Sequence, residues 1–363
     1  MATITAQLPT TAPSRPHARP RRWDWGYILE RLLQAILILW ATFTLAFLIL
    51  FVIPGDPALL MLGGASETGS VSAEQIEAVN AQYGFDQPIY VQYLTYLFGI
   101  VRGDLGVSFQ TGISVATLLA EAIGSTAALV AFGTAVAVVL GLAVGCAAAY
   151  AKNPVLGRVL ESVPSLAASL PTFWVGLLLM QFLSFQLRLL PVSGDRGFET
   201  LIMPGVTLAI PAAASIAQVV SKSLRTAMDE PYIDVARAKG AGELRVFFGH
   251  ALRNAILPAL TVLGLVIASM FVAATITETI FGRRGIGFLL EGSITTKDIP
   301  VVQAVVLVVA TVYVLTNLVV DLVYPFLDPR VVRTRRPRLI ALPRFGRLRR
   351  GSGDPSTRTE DAA

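Results

Sequence analysis

The sequence predicts an all-α, polytopic membrane protein with six transmembrane helices. Three observations carry that expectation. Hydrophobic residues make up 54% of the chain at a mean hydropathy of +0.65, and charged residues only 15%, well below the roughly 25% of an ordinary soluble domain. Six stretches are long and apolar enough to cross a bilayer: 27–53, 117–150, 157–187, 201–226, 256–282 and 301–327. The 29 basic residues also divide unevenly between the two sides. With the N-terminus in the cytoplasm, only Arg102, Arg188, Arg196, Arg283, Arg284 and Lys297 fall outside. That is the asymmetry of the positive-inside rule, and an even number of spans then places both termini in the cytoplasm.

Residues 1–26, polar and rich in Pro and Arg, read as a disordered basic cytoplasmic tail. The apolar run that follows is too long for the hydrophobic region of a signal peptide and lacks a small-residue cleavage pattern, so it reads as a first, uncleaved span. With the outer loop behind it, this span makes a first unit, 27–111. The loop opens on a turn, "PGDP" (Pro54–Pro57). Ser72 and Gln75 then stand at capping-box spacing before a short helix, which Gly84 stops. Tyr90, Tyr93, Tyr96 and Phe98 suit an interfacial helix. Two readings fit the loop: a face for an outside partner, or a cap over the helix ends.

The second unit, 112–328, holds the other five spans. The fourth has the weakest pattern, with Pro204, Pro211, Ser215 and Gln218, yet prolines are tolerated where neighbouring helices pair the freed backbone. The single cysteine, Cys146, allows no intrachain disulfide and reads as a small packing residue. Residues 329–363, with ten Arg among Pro, Gly and Ser, read as a disordered Arg-rich cytoplasmic tail whose simplest partner is anionic lipid.

Several function classes fit poorly. A P-loop needs a Gly-Lys pair to reach the β- and γ-phosphates, but the four lysines follow Ala151, Ser221, Ala238 and Thr296. No H-E-x-x-H or G-x-S-x-G run occurs, so no catalytic, cofactor-binding or metal-ligating residue is expected in this chain. Mid-span ionisable residues, the mark of ion-driven carriers, are nearly absent; Glu121, Glu278 and Asp321 lie near helix ends. An energy source would therefore lie outside this chain. The rival readings are an ion-coupled secondary transporter and a non-transporting scaffold.

One segment departs from the apolar background. In 229–258, Asp229 and Glu230 precede Pro231, a good helix opening. Tyr232, Val235, Ala236 and Lys239 recur at helical spacing until Gly240 and Gly242 break the run. Leu244, Phe247, Phe248, Ala251 and Leu252 then form an apolar stripe at i, i+3, i+4, i+7 and i+8, with Arg245 and Arg253 off it. The loop thus reads as a short helix, a glycine bend and an amphipathic helix leading into the fifth span. By periodicity alone it is equally a lever or an ordinary interfacial helix.

The residues carry more than the periodicity. "DVARAKG" resembles the EAA signature of type-I ATP-binding-cassette importer permeases, with Asp234 at the Glu position, Val235 and Ala236 at the Ala pair and Gly240 at the glycine; Asp for Glu and Val for Ala are departures. "HALRNAILP", with its late Leu257-Pro258, looks like the dipeptide/oligopeptide permease branch. So do "FVIPGDPA", "GDLGVSF", "LLPVSG", "ETIFGRRGIG" and "NLVVDLVYPFLDPR". The resemblance spans about residues 27–331; Arg284 stands where a proline is usual, and the Arg-rich tail is additional.

The resemblance implies an ABC transporter type-1 transmembrane domain in the inner membrane. Separate ATPase subunits, which use ATP and Mg, would energise it, a second homologous permease subunit would pair with it as a heterodimer, and an external binding protein would deliver peptide. Segment 231–242 would be the coupling helix. Tyr232, Asp234, Val235, Ala236, Arg237, Lys239 and Gly240 would then serve ATPase coupling, with Tyr232 and Ala236 as contacts and Arg237 and Lys239 either paired with ATPase acids or solvated. Tyr313, Asn317, Asp321 and Tyr324 share one face of the last span. Asn317, Asp321 and Glu278 are candidates for helix contacts or for the solute path.

Overall fold

The computed structural model describes residues 25–52, 58, 62 and 72–327, and no β-strand occurs among them. Residues 1–24 of the first expected tail, the whole of the second (329–363) and the "PGDP" turn lie outside the described residues.

The first span is helix α1 (Trp25–Val52), followed by two short helices, α2 (Ala73–Tyr83) and α3 (Ile89–Val101). The start of α2 is the capping box expected from sequence. Ser72 Oγ accepts from the Gln75 N–H at 3.2 Å, and Gln75 Oε1 accepts from the Ser72 N–H at 3.0 Å. Gly84 closes the helix at φ 70°. The aromatic helix α3 packs one face on the first span. Its Tyr93 ring packs against Phe43 and Phe47 of α1 at centroid distances of 5.6 and 5.4 Å, and the Tyr93 and Thr44 hydroxyls hydrogen bond at 2.9 Å. Elsewhere α1 turns Leu29, Leu33, Ile36 and Leu45 outward, as a lipid-facing helix does.

The centre of the bundle is α4 (Val115–Tyr150) against α7 (Glu199–Met228). On α4, Gly133, Ala137, Gly141 and Gly145 recur every fourth residue and are all buried. A Cβ at Gly141 would sit 2.7 Å from Ile216 Cβ, and one at Gly145 2.9 Å from the Ala217 carbonyl oxygen. The two backbones therefore meet across a ladder of absent side chains. Small residues at this spacing are how helices associate where lipid removes the hydrophobic incentive.

The third predicted span, 157–187, is not one straight helix. It is α5 (Pro154–Ser169), then α6 (Thr172–Leu179) running on as a π-helical stretch, Met180–Gln186, with a bend of 99° between the halves. Pro171 has no N–H to continue the helix and excludes its predecessor from helical geometry; Leu170 sits at ψ 131°. The fourth span, suspect for Pro204 and Pro211, is the unbroken α7. Among the described residues five helices pass the length and apolarity of a span alone, and the bent pair, taken as one span, makes six.

The loop after α7 forms α8 (Pro231–Ala238), and a π-helical segment, Arg245–Ala251, leads directly into α9 (Leu252–Ile280). Helices α10 (Ile286–Thr295) and α11 (Ile299–Leu327) complete the fold. One apolar core joins α4, α7, α8 and α9 through Leu129, Leu208, Val220, Ile233, Phe247 and Met270. A second, around Val115, Leu119, Ile286, Val301 and Val305, joins the start of α4 to α10 and α11.

Candidate functional site

The charged loop folds as a helix clamped onto its own bundle. Glu230 is extended and Pro231 opens α8, where a missing N–H costs nothing. The helix ends in a Schellman motif: the Gly240 N–H donates to the Arg237 carbonyl at 2.9 Å and the Ala241 N–H to the Ala236 carbonyl at 3.2 Å. Gly240 holds φ +81°, the left-handed conformation that the sequence assigns to this glycine.

Two faces of α8 have different fates. Ile233 is fully buried, Ala236 is 8% exposed, and both belong to the bundle core beside Val246, Phe247 and Ala251. Tyr232 is half-buried, and its hydroxyl accepts from Asn254 Nδ2 on α9 at 3.0 Å. Pro231, Asp234, Val235 and Ala238, at i, i+3, i+4 and i+7, are exposed. The structure thus corrects the expected contacts: Ala236 and Tyr232 seat the helix, and the free face is formed by other residues. Arg237 lies 3.4 Å from Asp234 and 3.9 Å from Glu243, so it has acidic neighbours within this chain; such exposed pairs are worth about 0–1 kcal/mol. Lys239 is exposed.

The stripe expected over 244–252 is also corrected. Val246, Phe247 and Ala251 are buried, whereas Leu244 is 60% and Phe248 55% exposed. The cause is winding. A π-helix closes i→i+5 bonds, so the inward positions recur at a longer interval than the α-helical spacing used to read the sequence.

The opposite end of the bundle holds a buried polar node around Glu278, which is fully enclosed. Thr126 Oγ1 of α4 donates to Glu278 Oε1 at 2.6 Å, the Gly287 N–H of α10 donates to Oε2 at 2.7 Å, and the Ile286 N–H donates to Thr126 Oγ1 at 2.8 Å. A Cβ at Gly285 would meet the carboxylate, so the glycines of "FGRRGIG" let α10 fold down on it. Of the two roles open to Glu278, the structure gives it the helix contact. Arg283 is also buried, with Nη1 3.4 Å from Thr200 Oγ1. Burial lowers its guanidinium from the usual value, and the charges of Glu278 and Asp195 raise it in part. Asn317 donates to the Tyr313 carbonyl of its own helix at 2.8 Å. Asp321 lies on α11, and its side chain is outside the described residues.

Three contacts escaped the sequence reading. Asp298, buried before α11, accepts from Ser108 Oγ at 2.5 Å and from the Phe109 N–H at 3.0 Å, pinning "GDLGVSF" to the far end of the chain. Thr126 bridges α4 to α10. Glu161 of α5 pairs with Arg225 of α7. An Asp directly before Ile-Pro was a helix-start signal; the other two had no local signal.

Residues 137–333 match the family described as binding-protein-dependent transport system inner membrane component, and residues 25–130 match its N-terminal counterpart. A probable peptide ABC transporter permease protein of Sinorhizobium fredii is 35% identical over 314 residues, covering 84% of this chain and 98% of that protein. The glutathione transport system permease protein GsiC of Escherichia coli is 35% identical over 306 residues, with the same coverage. Among solved structures, an amino acid ABC transporter with histidines matches 59% of this chain and 94% of its own at 18% identity and TM-score 0.45. The inward-facing MetNI methionine ABC transporter matches 59% and 97% at 16% identity and TM-score 0.47.

Proposed function

The chain belongs to the family of binding-protein-dependent transport system inner membrane components, and on that premise we propose how this permease subunit of an ABC importer is driven. Membership implies a multi-pass place in the inner membrane, and ATPase subunits and a substrate-binding protein as partners. It displaces the ion-coupled carrier and the scaffold. In the proposed arrangement α8 is the coupling helix. Its face of Pro231, Asp234, Val235 and Ala238 sits in a groove of an ATPase that binds ATP and Mg, with Arg237 and Lys239 at the rim. Both termini are cytoplasmic, a second permease subunit forms a heterodimer with this one, and the solute is a short peptide, in keeping with the peptide and glutathione permeases among its relatives.

The observation that supports this is the seating of α8. Force passes only through an element that cannot slip. Here a buried Ile233, a closed Schellman turn and the Asn254–Tyr232 bond fix the helix to α9, and Asp229 and Glu230 alone separate it from α7.

Val235→Glu tests the free face. It puts a charge on an exposed position, so the chain is expected to insert normally while the ATPase no longer co-purifies and uptake is lost. Gly240→Val forces a β-branched residue to φ +81°, at roughly 1–3 kcal/mol, and is expected to weaken docking as well. If the ATPase stays bound to both variants and transport continues, α8 is merely an interfacial helix.

A further inference from the structure

We propose that Arg225 is a positioning residue for transport, the handle by which the coupling segment moves the inner half of the bent span. This rests on the coupling reading above. Arg225 lies in the last turn of α7, six residues before α8 begins. Its Nη2 donates at 3.2 Å to the carbonyl of Ala148, in the last turn of α4, where carbonyls lack an intrahelical partner. The same guanidinium pairs with Glu161 of α5. One side chain therefore joins the ends of α4 and α7 to the middle of α5.

Those attachments are mechanically unequal. The α4 and α7 helices are interlocked along the glycine ladder, so a displacement of α8 carries both as one body. Helix α5 is held differently. Its far end stops at the break between Leu170 and Pro171, which is a joint. Beside the ion pair α5 and α7 part around an open cleft of about 270 Å3, bounded by Gly145, Leu160, Pro164, Ala217 and Lys222 among others. A joint at one end, an open cleft along the side and a charged link to the driven helix are the parts of a lever. Lys222 is the other cation facing the cleft; it stands one turn before Arg225 on the same helix, so a charge at Glu161 is drawn towards α7 from both.

The experiment uses the whole transporter, permease with its ATPase and binding protein, in proteoliposomes. Spin labels are placed at Leu166→Cys on the exposed face of α5 and at Thr226→Cys on α7, in a Cys146→Ala background. The inter-label distance is measured without nucleotide and after trapping with ATP and vanadate. The unmodified pair of helices is expected to shift between the two states. Arg225→Ala and Glu161→Gln are expected to reduce the shift while basal ATP hydrolysis continues, and to lower stimulation by the binding protein roughly two- to fivefold. Arg225→Lys, which keeps the cation and a donor for the Ala148 carbonyl, is expected to retain most of the shift, which a purely structural role would not predict. Glu161→Gln leaves α7 and its Ala148 bond intact, so it tests the link even if Arg225→Ala assembles poorly. A shift of normal size in Glu161→Gln, or one as small in Arg225→Lys as in Arg225→Ala, overturns the proposal. Failure of the unmodified chain to retain an ATPase refutes the coupling reading instead.

Discussion

Replacing Glu278 separates two accounts of its burial. One holds that the enclosed carboxylate matters for its charge opposite Arg283, the other that it matters as a hydrogen-bond acceptor joining α4, α9 and α10. In Glu278→Ala the Gly287 N–H loses its acceptor inside the bundle, at about 1–3 kcal/mol, and the vacated volume adds lost packing. Thr126 suffers less, because its hydroxyl can turn to the Ala122 carbonyl 3.4 Å away. The sum is about 2–5 kcal/mol, or roughly 5–15 °C of thermal midpoint at a few degrees per kcal/mol. In Glu278→Gln every partner can be kept. The amide oxygen takes the Gly287 N–H, the amide nitrogen donates to Thr126 Oγ1, and the Thr126 hydroxyl donates to Ala122. The expected cost is about 1 kcal/mol or less. Scanning fluorimetry of the detergent-purified protein gives the order, with uptake measured beside it. A Gln variant as unstable as the Ala variant would refute the acceptor account and restore the charge.

Two further outcomes follow from the geometry. Gly141→Val drives a branched side chain into Ile216 and the Ala213 carbonyl; overpacking of this kind costs about 1–3 kcal/mol, so yield and thermal midpoint should both fall, whereas Gly124→Ala, which meets nothing within 4 Å, should be neutral. In intact cells carrying Cys146→Ala, a cysteine at position 75 should react with a membrane-impermeant thiol reagent and one at 240 should not; labelling at 240 would invert the orientation.

Much of the fold was legible because lipid is a simple solvent. Long apolar runs, the Ser72 capping box and the Gly240 turn each follow from local chemistry, and the structure bears them out. What misled was winding and the silence of one proline. Residues 244–252 were read at α-helical spacing, and the π winding moved Val246 inward and Leu244 and Phe248 outward. Pro204 and Pro211 remain, as expected, inside one helix, which α4 supports along its length. Pro171, which drew no notice, breaks its span because Leu170 beside it adopts an extended backbone. The Glu278, Asp298 and Glu161 contacts join residues 64 to 190 positions apart, and no local pattern encodes such partners.

The π-helical entry to α9 also bears on how this chain tolerates change. In an α-helix each residue turns the chain by about 100°, so a lost or gained residue would rotate every side chain on one side of it relative to the other. A π turn is a register reserve: it accommodates an extra residue without ending the helix. Residues 245–251 can therefore set the azimuth of the driven segment independently of the span below it. A residue lost or gained there would leave the faces on either side of it in phase.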